Sequence, residues 1–166
     1  VRVDNRKRYD LSVRNLAHAY SDATQTIWNG IVVEMSLKAF GAVRIGEVVV
    51  TPDVAGKQVA VAGKLTNASA VPVEVEPRYT ETDRATGKQV ASQAVPCRLE
   101  PGAALGVNER LGLGGDMTLW NAFTPNLYEV AVAFDGGENR AEQHAVFGMR
   151  SVAADGNRLL VNGTPA

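Results

Sequence analysis

The chain has 166 residues, room for one ordinary domain and an extension, and its 17 basic and 18 acidic residues leave a net charge of −1. Such a balance offers no basic field for nucleic acid or an anionic membrane surface, so neither is expected as a partner. The only cysteine, Cys97, excludes an intrachain disulfide and a cysteine-based metal cluster.

Residues 1–20 carry Arg2, Arg6, Lys7, Arg8 and Arg14 among polar neighbours and lack the apolar centre of a signal peptide. Across positions 1–40, a strand-like Val1-Arg2-Val3-Asp4 is followed by a long polar stretch through Ser21 and a second strand-like run, Ile31 to Leu37. This pattern reads as the last two strands and the connecting loop of a preceding domain. The loop Leu16–Asn29 holds His18, Tyr20, Asp22, Gln25, Trp28 and Asn29. An aromatic face that can stack on a pyranose ring, beside groups that can hydrogen-bond its hydroxyls, has the composition of a sugar contact surface. Asp22, Trp28 and Asn29 are therefore the candidate substrate-binding residues; the competing reading has Trp28 filling the base of its own domain.

From Val43 onward the apolar residues alternate with period two, the signature of strands with one buried face. Within Val43–Val50 the apolar parity switches from Val43 and Ile45 to Val48 and Val50, which predicts a bulge near Gly46-Glu47. Val59, Val61 and Leu65 share a face. So do Val71, Val73, Val75 and Tyr79, then Val95, Cys97 and Leu99, then Leu105, Val107, Leu111 and Leu113, and finally Tyr128, Val130, Val132 and Phe134. Turn signals separate these runs at Thr86-Gly87, Pro101-Gly102, Gly114-Gly115, Gly136-Gly137 and Asp155-Gly156-Asn157. About seven strands at this spacing predict an all-β, immunoglobulin-like antiparallel sandwich.

Few residues invite chemistry. His18 and His144 lie far apart and in no ligand spacing, so no metal or cofactor is expected. The acidic residues fall in turns (Asp53, Asp83, Asp116, Asp135, Glu138) or on polar strand faces (Glu74, Glu76, Glu129), where solvation accounts for them. Trp120 and Tyr128 read as corner and core packing, with Thr124-Pro125-Asn126 fixing the turn between them. Asn67-Ala68-Ser69 and Asn162-Gly163-Thr164 match the N-glycosylation acceptor pattern, a short pattern that recurs by chance.

The blocks Leu119-Trp120…Thr124-Pro125-Asn126-Leu127-Tyr128-Glu129-Val130, Phe147-Gly148-Met149-Arg150 and Leu159-Leu160-Val161-Asn162-Gly163-Thr164-Pro165 resemble the middle immunoglobulin-like domain of family 2 glycoside hydrolases. "VRVDN" and "TQTIWNGIVVEMSL" resemble the close of that family's N-terminal sugar-binding jelly-roll, although Val32-Val33-Glu34 stands where most members have an arginine. The resemblance implies three parts: residues 1–40 as a jelly-roll remnant, 41–150 as the sandwich, and 151–166 as a lead-in to a catalytic barrel that this sequence does not include. It implies a β-galactosidase-like parent acting on carbohydrate with two barrel glutamates. No residue of this chain takes either role. The sandwich would then be a non-catalytic linker packed against the jelly-roll and the barrel. With their usual partners absent, Ile27, Trp28, Ile31, Val33, Met35 and Leu37 would favour homodimers. The alternative from another class is a free-standing immunoglobulin-like carbohydrate-binding or adhesion module.

Overall fold

The alternating runs form antiparallel strands in a computed structural model that describes residues 31, 35–37, 39–114 and 117–165. The chain divides into two compact units, Val1–Ala39 and Phe40–Ala166, and every strand among the described residues belongs to the second. These strands are β1 (Val43–Ile45), β2 (Val49–Asp53), β3 (Gln58–Asn67), β4 (Val73–Val75), β5 (Arg78–Asp83), β6 (Gln89–Ala94), β7 (Cys97–Leu99), β8 (Ala104–Gly112), β9 (Tyr128–Gly136), β10 (Asn139–Phe147), β11 (Val152–Asp155), β12 (Arg158–Val161) and β13 (Thr164–Pro165).

One sheet is built on β3, which pairs with β1 and β2 along one edge and β8 along the other. The second sheet has the order β10-β9-β5-β6. Their inner faces supply a common core: Val43, Ile45, Val59, Val61, Leu65 and Leu111 from the first, Tyr79, Tyr128, Val130, Val132, Phe134 and Phe147 from the second. The fold is thus the all-β, immunoglobulin-like sandwich that the alternation predicts.

The ten strands β1–β10 fall into seven stretches of chain, three of which are interrupted. The first break is the bulge at Gly46. Ile45 pairs with Leu65 and Val49 with Ala62, so four steps on one strand meet three on the other, and the extra residue flips the parity as the sequence requires. The other two breaks face each other. Val75 pairs with Cys97 and Arg78 with Ala94, three steps on each strand, so β4–β7 continues the β5–β6 ribbon in unbroken register. Between the two pairings lie Pro77 and Pro96, and proline has no N–H to donate to the ladder. The Val95 N–H still reaches the Pro77 carbonyl at 3.0 Å, holding the ribbon together as it bends away from β9.

Two residues of the predicted faces end up outside the core. Val71 is 60 % exposed because it lies in the turn before β4 rather than on a strand. Leu105 keeps its parity, opposite the buried Leu65, but is 39 % exposed at the end of the edge strand β8. Of the apolar residues expected to lack partners near the N-terminus, Ile31, Met35 and Leu37 are exposed, and Ile27, Trp28 and Val33 fall outside the described residues.

Two buried polar residues stand among these apolar ones. Asn67 is fully buried, and its side chain replaces ladder bonds where the strands diverge. Its amide nitrogen donates to the carbonyls of Val71 at 2.8 Å and Leu99 at 3.0 Å, and its Oδ1 accepts from the Ser69 N–H at 2.9 Å and the Ser69 hydroxyl at 2.7 Å. The acceptor-like Asn67-Ala68-Ser69 is therefore an internal clamp whose amide is committed to main-chain carbonyls. Glu81 follows Tyr79 on the inner face of β5, between Ala91 of β6 and Val130 of β9. It too is fully buried, and neither carboxylate oxygen has a hydrogen-bond partner among the described residues. Burial pushes its carboxyl up from 4.5 to about 7.

These two residues make separate predictions. Between the ordinary carboxyl pKa of 4.5 and the folded value of about 7, the folded state binds more protons at Glu81 than the unfolded state does. The Glu81 contribution to stability is thus full below the lower value and lost as pH rises through the upper one, at a cost of about 3 kcal/mol. Glu81→Gln should therefore gain most over the wild type at pH 8.5 and little at pH 4.5 in paired urea unfolding curves. An equal difference at both pH values would mean that folding leaves the Glu81 carboxyl at its ordinary pKa. Asn67→Ala should cost about 2–4 kcal/mol in the same assay at any pH in this range, since it strands several buried polar groups at once.

Candidate functional site

Asp22, Trp28 and Asn29, the candidate sugar contacts, lie outside the described residues, as do His18, Tyr20 and Gln25. What the described residues bring together is a set of paired surface charges, one charged groove and one tightly built corner.

The carboxylates of the turns serve their own loops. Asp53 Oδ1 accepts from the Gly56 N–H and Oδ2 from the Gln58 amide, each at 2.9 Å, and these bonds hold its carboxyl below the usual range. Asp83 accepts from the N–H groups of Ala85 and Thr86, with the same effect. A carboxylate fixed in its charged form this way is a turn-builder rather than a proton donor. His144 is an exposed strand residue, flanked by Glu129 at 3.0 Å and Glu142 at 3.2 Å. Arg98 pairs with Glu100 at 2.9 Å and Glu74 at 3.7 Å. Among the described residues no group of three or more His, Cys, Asp or Glu side chains is arranged to hold a metal ion.

The groove, of about 800 Å³, opens where the β4–β7 ribbon leaves β9 after Pro77. Val75, Ala133 and Phe134 give it an apolar floor, while Arg78, Arg98, Arg140, Glu74, Glu76, Asp135 and Glu142 mix both signs along it. Cys97 lines it as well, and burial raises its thiol pKa, which disfavours the reactive thiolate. Sequence reading missed this groove because it arises from the bend at Pro77 and Pro96, not from any local pattern.

The corner is built from the blocks that carry the family resemblance. Tyr128 is buried and stacks on Phe147 with ring centroids 5.8 Å apart, and its hydroxyl accepts from the Thr118 N–H at 2.9 Å. Trp120 is half-buried against Gly148, where an added Cβ would lie 2.8 Å from Trp120 atoms, so only glycine allows this approach. The Arg150 guanidinium lies 4.6 Å from the Trp120 ring centroid, a cation–π contact that occupies the ring. Trp120 and Tyr128 thus pack as the sequence predicts, and neither offers an open platform for a sugar. The Asn121 Oδ1 accepts from the N–H groups of Phe123 and Thr124, and the Asn126 amide donates to the Leu119 carbonyl at 3.1 Å, closing the loop between the aromatic residues. Phe123 at its tip is 96 % exposed.

Beyond Arg150 the chain forms a three-stranded meander, β11-β12-β13. Val152 pairs with Val161 and Ala154 with Leu159, so these four side chains share one face. Val152 is 59 % and Leu159 55 % exposed, leaving that face apolar and largely uncovered.

No curated protein matches the chain. Solved structures match its fold. A glycosyl hydrolase family 2 member from Bacteroides cellulosilyticus aligns with a TM-score of 0.65 at 22% identity, covering 76% of this chain and 18% of that one. A beta-glucuronidase from Bacteroides uniformis aligns with a TM-score of 0.62 at 18% identity, covering 75% and 15%. A beta-galacturonidase from Eisenbergiella tayi aligns with a TM-score of 0.63 at 15% identity, covering 76% and 21%. The chain therefore spans about a fifth or less of the length of these structures. The family model for glycosyl hydrolases family 2 matches residues 43–150, the whole of the sandwich and its Trp120 corner, and the chain belongs to that family.

Proposed function

We propose that this chain is a non-catalytic spacer within a larger glycoside hydrolase of β-galactosidase or β-glucuronidase type. Its part is to hold a sugar-binding jelly-roll and a catalytic barrel at a fixed distance and angle. The observation that carries this reading is the apolar face of the meander. Val152, Ala154, Leu159 and Val161 follow directly on a finished sandwich, and of the four Val152, Ala154 and Leu159 are exposed while Val161 is half-buried. A sheet with one apolar face requires a second layer, and a barrel packed there would supply it. The exposed Phe123 adds apolar surface to the Trp120 loop. On this reading Asp22, Trp28 and Asn29 belong to the sugar contacts of the jelly-roll side.

Two measurements test the reading. The purified 166-residue chain should leave p-nitrophenyl β-galactoside and β-glucuronide uncleaved, and the full-length protein carrying Val152→Asp and Leu159→Asp should melt several degrees below its wild type. Hydrolysis by the chain alone, or an unchanged melting temperature in the double variant, would overturn it. The exposed Ile31, Met35 and Leu37 further support association of the isolated chain with itself. Sedimentation velocity should show a dimer growing with concentration, and a monomer at every concentration would count against that association.

A further inference from the structure

Asn162-Gly163 has a local explanation that the structure exceeds. Val161 pairs with Thr164, leaving Asn162 and Gly163 as a two-residue hairpin turn with φ of 51° and 78°. Asn-Gly is the preferred pair for such a turn because both positions need positive φ. Glycine at position 162 would meet that need equally well.

The Asn162 side chain, however, reaches out of its hairpin. Its amide nitrogen donates to the Trp120 carbonyl at 2.8 Å, 42 residues away in sequence, and its Oδ1 accepts from the Ser151 N–H at 2.9 Å. Its main-chain N–H donates to the Ser151 carbonyl at 3.0 Å, and the Trp120 N–H donates to the Met149 carbonyl at 2.9 Å. Trp120, the connecting segment Met149–Ser151 and the turn of the meander are thus joined through one side chain and its neighbouring main-chain bonds, with Gly148 and Arg150 against the indole.

We propose that Asn162 is a latch that fixes the orientation of the meander on the sandwich. Every other hydrogen bond named here joins main-chain groups of adjacent segments. Only the Asn162 amide links the tip of the hairpin to the Trp120 loop and the segment before β11 at once. Both its donor and its acceptor are needed, which sets asparagine apart from aspartate and glycine at this position. That the latch aims the apolar face of the meander at a neighbouring domain rests on the spacer reading. The latch itself is a property of this chain and is tested with no partner present.

The test uses the 166-residue chain with Cys97→Ser and spin labels at Lys88→Cys on the sandwich and Arg158→Cys on the meander. The parent of the series should give a single narrow distance distribution. Asn162→Gly, which keeps the turn, and Asn162→Asp, which keeps the acceptor and removes the donor, should both broaden it. In Asn162→Gly the Ser151 amide should also exchange with solvent on the order of tenfold faster, while the amides of Tyr79 and Val130 keep their protection and report an intact sandwich. A narrow, unshifted distribution in both variants would overturn the latch and leave Asn162 as a turn residue only.

Discussion

The structure depends on the inner face of β3. Val59, Val61, Leu65 and Asn67 stand on that face, all buried, and the strand is paired along both edges over most of its ten residues. Three apolar side chains set the register of three neighbouring strands, because a slip by one residue would turn all of them to solvent. The fourth position, where the strands diverge and the ladder ends, is taken by a short side chain that can both donate and accept through a planar amide. Asn67 closes the sandwich with hydrogen bonds where apolar contact would leave carbonyls stranded.

The irregularities follow from covalent geometry. A bulge at Gly46, which shifts the register by one residue, and facing prolines at 77 and 96, which leave it unbroken, divide three runs into six strands. The bulge keeps both halves of its run facing the core. The prolines bend a ribbon out of its sheet, and that departure opens the charged groove. Glu81 and the Tyr79 hydroxyl beside it are exceptions to the economy of this core. Strand alternation places Glu81 inward, nothing among the described residues satisfies it, and the fold bears a buried acid that is most comfortable when protonated.

At the C-terminal corner, packing and polar bonds divide the work. Gly148 lets the Trp120 indole approach the backbone, Arg150 covers the ring, and Asn162 ties the meander to both. The corner is held by packing and hydrogen bonds together, and the meander face beyond it is apolar. The same side chains that give the family its recognisable blocks are those that make long-range contacts here. Asn162 and Trp120 are separated by 42 residues and joined by one hydrogen bond.

The strand runs, the bulge at Gly46, the hairpin turns and the all-β class were legible in the sequence because each depends on neighbours within a few positions: a period of two, a switch of parity, a glycine at positive φ. The core face of β9, Tyr128 to Phe134, could be read residue by residue for the same reason. The partners of a side chain across the sandwich could not be read this way. Alternation places Glu81 inward but does not reveal that its neighbours are Ala91 and Val130. Asn67 and Asn162 both match a surface modification pattern, and only tertiary contact turns one into a buried clamp and the other into a bond to a distant carbonyl. The groove and the uncovered meander face belong to the same class. They are made by where strands part company, which depends on packing between segments far apart in the chain rather than on the residues beside them.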